Sequence, residues 1–218
     1  MLASVKAPSF FPRLLVVVAA GWTIATTGAL AGPVPLFDGK TFNGWEGDTA
    51  RTWRIADGAI VAGSLTTMVP RNEFLATTRR YTNFVLRLKV QLLGSEGFVN
   101  SGVQIRSERI PNHHEMIGYQ ADIGEGWWGS LYDESRRNKV MAKADEAKVK
   151  QALKKDEWND YEVRAEGRRI VILLNGVQTV DYTEADTQIP QQGFIAVQVH
   201  GGGKTEVRFK DLTIEELK

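Results

Sequence analysis

From about Leu36 onward, apolar residues recur at every second position. Phe84, Leu86, Leu88, Val90 and Leu92 alternate with Val85, Arg87, Lys89 and Gln91. Val103 and Ile105 alternate with Gln104 and Arg106, and Ile117, Tyr119, Ala121 and Ile123 with Gly118, Gln120 and Asp122. The same period returns at Tyr161–Ala165, at Ile195–Val199 and from Val207 to about Ile214. A period of two is the signature of strands with one face buried and the other polar. Asp57-Gly58 and Asn175-Gly176 each separate two such runs. Both dipeptides tolerate the positive backbone angles of tight hairpin turns. Only Ala144 to Lys154 reads as helical, and it is short and polar.

Many strands, hairpin turns and no alternating helices predict an all-β protein. The expected form is an antiparallel jelly-roll β-sandwich of the concanavalin or laminarinase type with one short surface helix. No internal repeat or linker divides residues 32–218, which read as a single domain.

The first 31 residues carry a different signal. Lys6 and Arg13 precede the apolar run Leu14–Ala20, and small residues lead up to Ala31. This predicts a signal peptide cleaved after Ala31 and hence a periplasmic or secreted protein. Gly21, Thr23, Thr26 and Thr27 dilute the run below the length of a retained membrane anchor, so no membrane span is expected after cleavage. The formal net charge is +1, which offers nucleic acid no basic face. There is no cysteine, so disulfides and thiol chemistry are excluded.

Three polar rows differ from the Lys, Glu and Thr of ordinary solvated strands. They are Asn100, Gln104 and Arg106; Gln120 and Asp122; and Gln198 and His200. Amides, carboxylates and guanidinium groups make paired hydrogen bonds to neighbouring hydroxyls, as a sugar site requires. The intervening loop Gly124–Glu134 adds Trp127, Trp128 and Tyr132, whose rings suit the C–H face of a pyranose. Its glycines mimic a dinucleotide fingerprint, but no helix follows and two bulky rings occupy the turn. His113-His114-Glu115 resembles a metal-ligand fragment. Successive strand residues point to opposite faces, so the two histidines share an ion only if the segment is a loop. No metal ligand is assigned. Ordinary retaining hydrolysis needs two carboxylates about 5 Å apart, and no suitable pair is visible: Asp133 and Glu134 are adjacent and face opposite ways in a strand.

Together, Leu36-Phe37-Asp38-Gly39-Lys40 with Gly44-Trp45, Asn100-Ser101-Gly102-Val103, Gly118–Asp122, Gly129–Tyr132, Glu157–Tyr161, Leu174–Val177 and His200-Gly201-Gly202 resemble the 3-keto-disaccharide hydrolase domain family over Pro35–Leu217. The resemblance implies cleavage of glycosides already oxidised at C3. A ketone there acidifies the C2 proton, so one base, one enolate partner and one acid suffice. Asp122 or His200 is the expected base, Arg106 and Gln104 the polar partners, and Glu134 the acid. Asn100, Gln120, Trp127, Tyr132 and Gln198 are expected to bind substrate. Where the family pattern usually has Glu this chain has Gln120, and where it usually has Gln this chain has Asp122. No cofactor is assigned, and a divalent metal ion bridging the keto and hydroxyl oxygens stays open. The expected partner is carbohydrate, an oxidised glycoside or disaccharide. The alternatives are a lectin-like module without turnover, or an interaction domain that presents its tryptophan loop to another protein.

Overall fold

A computed structural model describes residues 1–4 and 32–218; the expected export signal falls largely on residues outside these. Strands are numbered in chain order. The first antiparallel sheet runs β13 (Val177–Thr183), β12 (Arg169–Leu174), β11 (Asn159–Glu166), β6 (Phe84–Gly97), β15 (Gly203–Glu216), β4 (Ala59–Gly63) and β3 (Trp53–Ala56), with β1 (Val34–Pro35) also on β15. The second runs β10 (Lys139–Ala142), β9 (Leu131–Glu134), β8 (Met116–Gly124), β7 (Asn100–Arg109), β14 (Gly193–Val199), β5 (Glu73–Tyr81) and β2 (Trp45–Glu46). This is the expected all-β, lectin-like jelly roll. The strands β5, β9 and β10 carry weaker alternation and were not legible as strands from the sequence.

The inner faces make one core. Leu86, Leu88, Val90, Val163, Ile172 and Phe209 of the first sheet meet Val103, Ile105, Ala121, Ile123 and Val197 of the second. Burying each such side chain contributes about 1.5–3 kcal/mol. Both predicted hairpin turns are present: φ is positive at Asp57 and Gly58 and at Asn175 and Gly176. The one helix among the described residues, α1 (Glu146–Ala152), is shorter than the pattern suggests. Asp145 caps it by accepting from the amides of Ala147 and Lys148, satisfying donors that a helix start leaves unpaired. Among the described residues, no helix is long and apolar enough to cross a membrane.

The two outer faces are chemically unlike. On the first sheet Arg87 pairs with Glu162 at 2.7 Å and Glu215 at 3.1 Å, and Lys89 with Asp160 at 2.5 Å. Such exposed pairs are screened and contribute little, so this is a solvated face. The outer face of the second sheet instead buries Gln104, Gln120, Asp122 and Gln198.

Candidate functional site

Strand register fixes the layout of the polar face. One row across the second sheet reads Ala76, Ala196, Gln104, Gln120 and Tyr132. The next reads Phe74, Gln198, Gly102 and Asp122. Asn100 and Gly124 begin a third, and the His200 amide donates to the Asn100 carbonyl beside them. Three strands therefore bring Asn100, Gln104, Gln120, Asp122 and Gln198 together on one face, as alternation predicted. Phe74, Ala76, Met116 and Ala196 form an apolar patch beside them.

A directed chain of hydrogen bonds runs through the amides. Ser107 Oγ donates to Gln104 Oε1 at 2.5 Å, Gln104 Nε2 to Gln120 Oε1 at 3.0 Å, and Gln120 Nε2 to Asp122 Oδ1 at 2.8 Å. Gly102 makes this geometry accessible, because a Cβ there would lie 2.8 Å from Gln120 Nε2. The chain ends on one carboxylate oxygen. The other, Asp122 Oδ2, is buried without a partner, as are both Nε2 and Oε1 of Gln198. Leaving such an atom unpaired costs about 1–3 kcal/mol. Donor and acceptor groups in one row, each lacking a partner, are what a polyhydroxylated ligand would satisfy.

Two carboxyl groups here are shifted strongly. Burial pushes Asp122 up to about 7; the Gln120 hydrogen bond opposes the shift, Glu134 adds to it and Lys143 counters it. Burial also raises Glu134 to about 7, with the negative charge of Glu115 adding. Glu134 lies opposite Gly118, two residue pairs along β9 from the Gln120–Tyr132 row and four from the level of Asp122. Asp133 faces the other way, as expected, and is held by Arg136 and Arg137. Near neutral pH the two raised groups are poised between their forms, so an acid and a base can coexist.

The tandem tryptophans part company. Trp127 meets Tyr132 edge to face at 6.1 Å, with Lys143 Nζ 4.9 Å from its ring centre. Trp128 is buried against Tyr161 at 6.3 Å. Only Trp127 stands beside the polar face; Trp128 belongs to the core.

Arg106 corrects the sequence reading. It adopts a positive φ of 49° where the β7–β8 register slips between Ile105 and Glu108. The bulge turns its side chain out of the row of Asn100 and Gln104. Its guanidinium instead donates to the Thr82 carbonyl at 2.5 and 2.8 Å, the Gly167 carbonyl at 2.6 Å and Gln191 Oε1 at 2.5 Å. It fastens turns at one end of the sandwich. His200 sits at the margin of the face: its Nδ1 lies 2.7 Å from the Gly201 carbonyl and its ring meets Phe98 at 4.7 Å.

Asn72 escaped sequence reading, and Glu115 was read only as part of a metal-like fragment. Asn72 Nδ2 donates to Glu115 Oε1 at 3.0 Å, while Asn72 Oδ1 accepts from the Gly201 amide at 2.9 Å. Glu115 Oε2 is another buried atom without a partner. Both residues precede strands, where no period marks a face, so only their polarity was available as a signal. His113 and His114 do lie in a loop, stacked at 4.4 Å. Among the described residues no three His, Asp or Glu side chains form a metal-binding group.

Residues 32–215 match the model of the 3-keto-alpha-glucoside-1,2-lyase-like domain. The chain belongs to that family. No curated protein sequence matches it. Among solved structures, this family member is similar to a Parabacteroides distasonis protein provisionally named a glycosyl hydrolase, with 21% identity and a TM-score of 0.66 over 86% of this chain and 94% of that one. The carbohydrate-binding module CBM66 of Bacillus subtilis matches at 15% identity and a TM-score of 0.62, over 79% and 96% of the two chains. A Bacillus subtilis protein described as galectin-like in fold matches at 11% identity and a TM-score of 0.62, over 87% and 96%. These likenesses establish the lectin-like fold, and the family assignment ties that fold to carbohydrate.

Proposed function

We propose that this protein cleaves the glycosidic bond of 3-keto-glucosides by elimination, with Asp122 as the base. The observation that carries the reading is the buried, unpartnered Asp122 Oδ2 in one row with the equally unpartnered Gln198 amide. Asp122 removes the C2 proton. The electron pair moves onto the C3 oxygen as an enolate, which Gln198 Nε2 stabilises by donation. Collapse of the enolate forms the C1–C2 double bond and breaks the C1–O bond, and Glu134 protonates the departing oxygen. The product is a 2-hydroxy-3-keto-glycal together with the free alcohol; adding water at C1 would give the hydrolysis product. Gln104 and Gln120 hold Asp122 in place, and both ends of the Gln104 amide are already engaged, which transfers its expected enolate role to Gln198. Trp127 and Tyr132 flank the ring, and Asn100 and His200 meet outlying hydroxyls.

A preorganised donor at a developing oxyanion typically contributes a factor of about 10²–10³, and a positioned base a comparable one. Neither step requires paired carboxylates at hydrolase spacing. An exported protein, periplasmic or secreted, forms part of this proposal and rests on the N-terminal sequence pattern.

The test is incubation with methyl 3-keto-α-glucoside in D2O, following methanol release and deuterium entry at C2. Release with a wild-type rate, lost in Asp122→Asn, is the expected result. A folded, metal-supplemented sample that binds the sugar but releases no methanol from about pH 5 to 9 would overturn elimination and leave a carbohydrate-binding protein.

A further inference from the structure

A cleft of about 540 Å³ opens at the end of the sandwich next to the polar face. Its volume falls within the range typical of small-molecule sites. Leu92 of β6, Val99 of the turn between β6 and β7, Trp128, and Val149 and Leu153 of the helical segment are among the residues that line it. Val149, Leu153 and Val99 are only partly buried although they pack against the core. Ser95, Glu125, Lys155 and Asp156 also line it, so these apolar side chains form one wall of a mixed cleft, a wall that hydroxyl groups would not cover favourably.

The cleft and the polar face share a wall. Gly124 lies opposite Asn100, and the turn that follows sends Glu125 and Gly126 to the rim of the cleft. Lys143 Nζ bonds the Gly126 carbonyl and also lies over Trp127. On the other side Phe98, at the cleft rim, packs its ring on His200. The two tryptophans thus stand on either side of one turn, Trp127 toward the polar row and Trp128 toward the cleft.

We infer that this cleft is the subsite for an apolar, flat aglycone, so that a glycoside lies across the 124–128 turn with its oxidised sugar on the polar face. The inference rests on the elimination reading for the orientation of the sugar. It assigns the tandem tryptophans separate tasks: Trp127 meets the sugar and Trp128 floors the space for the leaving alcohol. Apolar contact outside the reacting bond holds the substrate without touching the chemistry, so it raises kcat/KM for substrates that reach it.

The experiment compares phenethyl and methyl 3-keto-α-glucosides on the full chain, because their leaving alcohols differ little in acidity. The expected kcat/KM ratio, phenethyl over methyl, is tenfold or more. Val149→Asp, which puts a charge in the cleft, should reduce that ratio about tenfold; Leu153→Ala should reduce it severalfold and serves if the first variant folds poorly. A wild-type ratio near one, or equal losses for both substrates, overturns the subsite. If neither substrate is cleaved, the elimination reading fails by itself. Saturation-transfer NMR with phenethyl glucoside then decides the cleft: phenyl-ring contact weakened by Val149→Asp supports it, and no ring contact overturns it.

Discussion

Asp122 and Gln198 stand in one row of the second sheet with only Gly102 between them. Neighbouring strands are about 4.8 Å apart, which puts their Cα atoms roughly 10 Å from each other. The missing side chain at Gly102 lets Gln120 lean across and donate to Asp122. The carboxylate is thereby aimed and half satisfied; its second oxygen is left without a partner, as is the Gln198 amide farther along the row. Buried polar atoms without partners are costly in the free protein.

The cost has a pH signature. Asp122 is raised from 3.8 to about 7, so between about pH 4 and 7 the folded state holds a proton that the unfolded chain has released. Stability is therefore fully present below pH 4 as far as this group is concerned, and falls as pH rises toward 7. At about 1.4 kcal/mol per unit the loss is bounded near 4 kcal/mol. Asp122→Asn should flatten that fall, so thermal melting measured from pH 4 to 8 should show a higher Tm for the variant at pH 8. Turnover should drop about a thousandfold. A variant with unchanged pH dependence would mean that Asp122 is ionised freely in the fold.

Arg106 makes the opposite prediction. It is buried and donates to Thr82, Gly167 and Gln191, and none of these lies on the polar face. Arg106→Ala should destabilise by about 3 kcal/mol, since it removes a cluster of hydrogen bonds and the packing of a buried side chain. Arg106→Lys should rescue little, because an ammonium cannot reproduce the fork. kcat per folded molecule should stay at the wild-type value in both. Denaturant titration beside single-turnover rates separates the two effects, and a large fall in the rate with intact stability would return Arg106 to the active centre.

The fate of Arg106 shows where period-two reading stops. Gln104, Gln120, Asp122 and Gln198 were legible because unbroken alternation carries a face along a strand. One residue at φ 49° flips that parity, and no feature of the Gln104–Arg109 sequence announces a bulge. Asn72 was invisible, and Glu115 legible only as part of a metal-like fragment, for a related reason: both sit in loops, where spacing carries no direction. The turns at Asp57-Gly58 and Asn175-Gly176 were readable because residue chemistry alone selects positive φ. Burial was the other gap, since a sequence shows that Asp122 faces a sheet surface but not that this surface is dry.

Glu134 should reveal itself through the leaving group. Its carboxyl, raised to about 7 chiefly by burial, can donate a proton at neutral pH. Glu134→Gln should slow release of an alkyl alcohol about a hundredfold or more. Release of nitrophenol, which departs without protonation, should fall far less. Because Asp122 and Glu134 interact, the bell-shaped profile of kcat/KM belongs to the pair, and the variant should lose its alkaline limb. Equal losses for both leaving groups would remove Glu134 from the acid role.

Trp127 and Trp128 are neighbours in sequence with opposite expected phenotypes. Trp128 is 7% exposed and packs on Tyr161, so Trp128→Ala should cost about 3–5 kcal/mol through the cavity it leaves. Trp127 touches Tyr132 and Lys143 at the margin of the polar face, and its loss leaves no comparable void. Trp127→Ala should weaken sugar binding about tenfold, near 1.4 kcal/mol, while Tm moves by less than about 3 °C. Calorimetric titration with a 3-keto-glucoside, run beside thermal melts of both variants, tests the division. If Trp127→Ala binds sugar as the wild type does, the ring of Trp127 does not meet the substrate, and Tyr132 alone would have to flank it.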